Sequence, residues 1–306
     1  MIAWLSHHRQ RILQLAGTLL ASFLLFLLLR EGGWEGMVSA MRQIEVMDLF
    51  WVLILFIISR FATVWRWYVL LRSGGVDIQF WDTASLTFTG LFASNFLPTT
   101  IGGDVVRLGG IMRMGFDRAI CIASIAADRL VGMLGMLTAS PLGVSYTWPI
   151  LTASPSGLAS AVFLQRPVRF LKRILSTFSI WLKKPGSLLL SLAFTWVHML
   201  CVFGSIYLFV DDLGTPVSFW MIAGLWSLTY FITLIPISIN GYGLQELSFT
   251  FLFSNVAGVT PAMSLTISVL IRAYLMISSL PGAVFLPSTL AAMAEKKLVL
   301  KNGDLK

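Results

Sequence analysis

Long apolar runs constrain this chain more than any other feature. Residues 12–29, 49–71, 119–142 and 187–210 are each long enough to cross a hydrocarbon layer of about 30 Å as an α-helix. Inside lipid a helix satisfies its backbone hydrogen bonds within itself, which an irregular chain cannot do. The alternative, one large soluble core, requires every run to be covered on all sides. Composition decides between them: 57% of residues are apolar and 12% charged, against about 25% charged in an ordinary soluble domain. The 11 Trp and 22 Phe agree, because aromatic rings gather at bilayer interfaces. The fold class is an all-α polytopic membrane protein, residues 1–306 forming a single integral membrane domain.

The formal net charge of +8 does not point to nucleic acid. Lys and Arg fall in loops beside the apolar runs with no nucleic-acid motif, so positive-inside topology accounts for them. Residues 1–11 are basic and place the N-terminus inside. The run 12–29 is expected as an uncleaved first span, since it exceeds a signal-peptide core and Arg30-Glu31-Gly32-Gly33 is no small-residue cleavage site. In 30–48, Arg30 and Arg42 face Glu31, Glu35, Glu45 and Asp48, which suits the outside. Residues 164–186 carry Arg166, Arg169, Lys172, Arg173, Lys183 and Lys184 and no acid, a basic cytoplasmic linker. Its interleaved Phe170, Leu171, Ile174 and Trp181 predict an amphipathic helix on an anionic leaflet. The tail, with four lysines against two acids, returns inside. The expected topology is multi-pass, with both termini cytoplasmic. Cys121 and Cys201 lie in apolar segments and read as small hydrophobes, not as metal ligands or a disulfide framework.

Two stretches interrupt the apolar pattern. Residues 81–98 are dotted with Thr83, Ser85, Thr87, Thr89 and Ser94 and end in Asn95 and Pro98; Gly102-Gly103 then precede Asp104 and Arg107. Proline lacks an amide donor and glycine eases irregular backbone, so a re-entrant segment and a short helix over 103–114 are expected. Backbone broken at membrane depth is tolerated only where protein buries it or water reaches it. The second stretch follows 217–236: Pro236, Asn240, Gly241, Gly243 and Glu246. Downstream, Gly115, Ala119 and Arg129 repeat their spacing as Gly258, Ala262 and Arg272. A duplicated unit follows, with 49–142 as first repeat and 187–290 as second. Charge bias brings the chain into the first break from the inside and into the second from the outside, so the repeats are read as inverted, with six to eight membrane helices in all. Residues 143–163, with Pro149 and Pro155, are a weak span of their own.

Charges inside the spans are the candidate site. Asp128 and Arg129, about ten residues into a span, point roughly 100° apart and are expected to reach different helices. Asp104 sits where a helix dipole favours an anion, with a helix cap as the lesser alternative. Arg107, one turn on, joins the same helix N-terminus, where free amides and a guanidinium together suit a phosphate. Arg60 is costly at mid-span unless it faces protein or water. Arg66 and Arg72, with Trp65, Trp67 and Tyr68, read as a snorkelling interfacial anchor, and His198 as a packed, hydrogen-bonded residue.

The pattern N-x-x-P-x-x-x-G-G-D-x-x-R with a downstream D-R, followed by P-x-x-x-N-G-x-G-x-x-E with a downstream R, resembles the flippase-like, or lysylphosphatidylglycerol synthetase transmembrane-region, family over essentially the whole chain. It departs at Tyr242 and Gln245, where such proteins more often carry a small or apolar residue and a basic one. The resemblance implies transbilayer movement of a lipid with an anionic phosphate or aminoacylated headgroup. The chain is expected to be a stand-alone member, without the aminoacyl-transferase domain. Substrate binding then falls to Asn95, Asp104, Arg107, Asp128, Arg129, Asn240, Glu246 and Arg272, and hinging to Pro98, Gly102, Gly103, Pro236, Gly241 and Gly243. No P-loop, metal, cofactor or catalytic motif appears, so movement is expected to be passive or ion-coupled, with Asp128 or Glu246 as proton carrier. The alternatives are a non-catalytic membrane partner of a lipid-carrier glycosyltransferase and a lipid-phosphate transferase with Asp104 as base.

Overall fold

A computed structural model of the chain describes residues 34–96, 102–153, 183–235 and 238–287, together with Phe23 and Trp181. The described residues form helices and turns, with no strand among them. In order these are α1 (Trp34–Gln43), α2 (Val46–Ser73), α3 (Phe80–Phe96), α4 (Gly102–Arg113), α5 (Arg118–Ala153), α6 (Pro185–Asp212), α7 (Phe219–Thr233), a 3-10 turn (Ile239–Gly241), α8 (Leu244–Ala257), α9 (Pro261–Ile277) and a short α10 (Pro281–Pro287). Among the described residues three helices are long and apolar enough to cross a membrane: Val46–Ser73, Arg118–Pro149 and Pro185–Asp212. The pair α9 and α10, bent by 45°, makes a fourth if counted as one span. At 28 residues, α2 is about 42 Å long, enough for the hydrocarbon core and both headgroup layers. The first apolar run and most of the basic linker lie outside the described residues.

The core is built on α2 and α6, which pack along most of their lengths. Phe56 of α2 meets Met199, Val202, Phe203, Ile206 and Phe209 of α6 in one buried cluster that continues into α7, α8 and α9. Hydroxyls buried in these helices bond to the carbonyl one turn back: Thr63 to Ser59, Thr87 to Thr83, Thr195 to Ser191 and Ser205 to Cys201. That bond hides each hydroxyl within its own helix. The polar dotting of α3 is thereby explained, since Thr83, Thr87 and Thr89 are fully buried.

Helices approach most closely where both backbones lack side chains. Gly90 on α3 and Gly103 on α4 touch, and a Cβ on Gly103 would overlap the Gly90 carbonyl. The same Cβ would lie 3.1 Å from Ser94 Cβ, so α4 runs back along α3 as an antiparallel hairpin. Gly143 on α5 and Gly224 on α7 meet in the same way. Small residues at membrane helix crossings permit such contact.

One expectation about the helices needs correction. Residues 143–153 do not begin a separate span; α5 passes through Pro141 and Pro149 as one helix. Past α9 the chain bends, because Pro281 starts a new helix after the turn at 278–280. The segment read as suiting the outside contains a helix, α1, which packs against α9. Gly103 lies inside α4, and its missing side chain serves the contact with Gly90. Gly241 and Gly243, by contrast, have φ of 72° and 74°, and Asn240 between α7 and α8 has φ 49°, the left-handed region that glycine and asparagine enter at least cost.

Candidate functional site

The α3–α4 hairpin sets Asp104 and Arg107 on one face of α4, one turn apart, toward α2 and α5. From there charges alternate without a gap. Arg129 donates Nε to Asp104 Oδ2 at 2.6 Å, and Asp104 Oδ1 accepts from Arg107 Nη1 at 3.3 Å. Arg107 then holds Asp128 Oδ2 with both terminal nitrogens at 3.0 Å, and Arg66 Nε closes on Asp128 Oδ1 at 2.7 Å. Asp128 is 2% exposed. The Arg107 guanidinium lies 3.9 Å from the centre of the Trp67 ring, whose indole nitrogen donates to Ser124 Oγ. Arg107 Nε is buried and has no partner.

This chain of charges begins and ends with arginine, and it lines a cavity of about 230 Å³. Arg60 lines the same cavity, with Thr87, Ser94, Thr195, His198 and Tyr230 among its other walls. Arg60 donates Nε to Ser278 Oγ at 2.8 Å and Nη2 to the Leu275 carbonyl at 2.6 Å. The acceptors are the C-cap of α9 and a carbonyl of its last turn, just before the break between α9 and α10. No described carboxylate pairs with Arg60. His198 shares a 2.6 Å hydrogen bond with Ser59 Oγ. The lining therefore holds four arginines against two aspartates. Among the described residues of the wall two positive charges are in excess, with His198 counted neutral. An uncompensated charge inside a membrane protein is expensive, and an anion is what lowers that cost.

The expected site residues divide into two groups. Asp104, Arg107, Asp128 and Arg129 share the cavity wall. Asp128 and Arg129 both reach α4, at residues one turn apart, and Asp128 also reaches α2; the expectation of one separate helix each is corrected. Glu246 and Arg272 form a second cluster, joined by an ion pair through Arg272 Nε. Arg272 Nη2 also donates to Gln245 Oε1 and the Gly241 carbonyl, both at 3.1 Å, and its guanidinium lies 4.6 Å from the Tyr242 ring centre. Both departures from the family pattern thus meet on Arg272. One acid faces one base here, so this cluster is neutral and outside the cavity wall. Asn240 supplies the strained turn beside it. Asn95 joins the two broken regions: its carbonyl accepts from Tyr242 Oη at 3.0 Å, and its amide donates to Ser279 Oγ at 2.9 Å. Pro98 and Pro236 lie outside the described residues.

Arg66 and Trp67 were misread as an interfacial anchor. Arg66 is buried on Asp128 and Trp67 is fully buried, whereas Arg72, exposed and paired with Asp77, fits that description. A signal was present: Ser59, Arg60, Thr63, Arg66 and Trp67 recur at steps of three and four, the mark of one helix face.

The two stretches read as repeats share further features. Gly115 ends the turn after α4 at φ 88°, as Gly258 ends α8 at φ 72°. In each half an acid at the start of the short helix pairs with an arginine in the next long one, Asp104 with Arg129 and Glu246 with Arg272. Aligning Gly115 with Gly258 sets Thr250 opposite Arg107 and Ile271 opposite Asp128. The second stretch thus has an outer ion pair whose acid, Glu246, stands one residue before the place of Asp104, and it lacks the inner pair. Along the α8–α9 seam Ser254 bonds Ser264 at 3.3 Å; one turn further along each helix, Thr250 and Ser268 are buried, and among the described residues their hydroxyls have no partner.

The sequence pattern of one family, the Lysylphosphatidylglycerol synthase TM region, matches residues 14–282. No curated protein matches the chain.

Proposed function

Because the chain belongs to the family of lysylphosphatidylglycerol synthase TM regions, we propose that it is a flippase that moves a membrane lipid with an anionic, phosphate-bearing headgroup between leaflets, in a bacterial cytoplasmic membrane. The observation that carries this is the cavity with four arginines against two aspartates. Guanidinium groups match phosphate geometry, and a site already two charges positive favours that headgroup over an aminoacylated, cationic one. Arg107 and Arg66 are the groups that would exchange Asp128 for phosphate. The paired breaks and the repeated acid–arginine contacts support a duplicated transporter architecture with two inverted halves. No nucleotide motif accompanies it, so movement is passive or ion-coupled, and Asp128, shared by two arginines, is the group whose release would admit a proton.

The test is lipid movement in proteoliposomes containing a fluorescent phosphatidylglycerol or phosphatidylcholine, read by quencher access to the outer leaflet. Wild type is expected to speed only the anionic lipid, and Arg107→Gln, folded by size-exclusion chromatography, to lose the effect. Equal movement of both lipids, or none, refutes the reading.

A further inference from the structure

A second, larger cavity adjoins the charged one. About 480 Å³ in volume, it is walled by Leu53 and Ile57 of α2, Phe88 of α3, Ile277 of α9 and Phe285 of α10, and polar groups are few in its wall. Arg60 lines both cavities. Two of its three guanidinium nitrogens are committed to the end of α9, and Nη1 meets no described acceptor. A polar pocket and an apolar groove therefore share one wall, with a cation in it. Ile57, Ile277 and Phe285 are 44%, 48% and 39% exposed, so the groove opens toward the lipid-facing surface. Its floor is fixed, because α10 lies against the α3 backbone with Gly282 on the Phe88 carbonyl.

We propose that this groove seats the hydrocarbon tail of the same lipid whose phosphate occupies the charged cavity, with Arg60 at the junction of tail and headgroup. The inference rests on the proposed headgroup site. Continuity through Arg60 distinguishes this groove from ordinary lipid-facing surface: a tail here belongs to a molecule whose phosphate is within reach of a buried guanidinium. Chain length and stiffness then become part of recognition, beside headgroup charge.

The experiment uses the full chain in phosphatidylcholine nanodiscs and two probes. Glycerol 3-phosphate, which has the headgroup chemistry and no tail, is titrated calorimetrically. Lysophosphatidic acid with a diazirine near its chain end is photolysed, and the labelled peptides are mapped by mass spectrometry. The expected result is labelling at Leu53–Ile57, Phe88 and Phe285 that falls at least about tenfold with excess glycerol 3-phosphate, since both compete for one phosphate site. Ile57→Trp, which fills the groove, is expected to remove that labelling; measured glycerol 3-phosphate binding shows that the variant is folded, and Leu53→Trp replaces it if it is not. Three results overturn the proposal. Groove labelling that ignores glycerol 3-phosphate and is matched by a phosphocholine probe makes the groove a bulk-lipid surface and leaves the headgroup site intact. Crosslinks from the groove to residues 12–29 or to a second copy make its occupant protein. No glycerol 3-phosphate binding removes the headgroup site and this inference with it.

Discussion

Replacing Asp128 by Asn tests the charge arrangement directly. Asp128 is the shared acceptor of Arg66 and Arg107, whose side chains are 11% and 8% exposed. Removing one partner of a buried ion pair costs about 3–5 kcal/mol, because the other charge stays buried without compensation. Arg107 keeps Asp104 at 3.3 Å, and the asparagine oxygen still accepts one bond, so the lower end, about 3 kcal/mol, is expected. The same change raises the excess in the cavity from two positive charges to three, so the variant should bind phosphate more tightly than wild type. A ligand at 100 times its Kd stabilises the folded state by about 2.7 kcal/mol, and most of the loss should therefore return in phosphate. The assay is unfolding in mixed detergent micelles, with and without inorganic phosphate. Asp104→Asn is the internal comparison: its partner Arg129 is 39% exposed, so a smaller loss of about 1 kcal/mol follows. An Asp128→Asn protein that unfolds at the wild-type midpoint, or gains less from phosphate than wild type does, refutes the reasoning.

Other consequences follow from the same contacts. Gly103→Ala forces a Cβ into the Gly90 carbonyl and should lower stability by about 1–3 kcal/mol, seen as a lower unfolding midpoint; no change would mean that α4 shifts freely along α3. Arg272→Gln breaks the neutral second cluster, so it should destabilise the fold and leave phosphate affinity within a factor of two or so; titration of the folded variant decides. Thr250→Val with Ser268→Ala removes two buried, unpartnered hydroxyls and should stabilise by about 1 kcal/mol or more. A drop in the midpoint would reveal a water held between them.

How much of this was legible in the sequence depended on the contrast each residue makes with its surroundings. Asp104, Arg107, Asp128 and Arg129 stand out because charge inside apolar runs is costly, and spacing alone paired the two breaks. Arg66 was hidden by its position near a span end, where an arginine with aromatic neighbours has a cheaper explanation at the interface. Only its phase relative to Arg60 and Thr63 separates the two cases. The division of labour between Arg107 and Arg272 could not be read locally, since each follows an acid-containing broken segment. It depends on Asp128, which brings a third helix to the first cluster, and on Ile271 at the matching place in the second. Pro281 marks the α9–α10 break, but the run stays apolar on both sides of it, so hydropathy alone shows no interruption there.

The crossing of Gly143 and Gly224 carries a mechanical consequence. In the core long helices mesh through side chains, as Phe203 and Phe209 do, and sliding them means changing rotamers against neighbours packed to near-crystalline density. At Gly143 and Gly224 backbone rests on backbone, with no teeth to disengage. A helix from each half can turn there at little cost, as a lever turns on a bearing. Alanine at either position would wedge the bearing, and under the proposed function lipid movement would then slow before binding weakened.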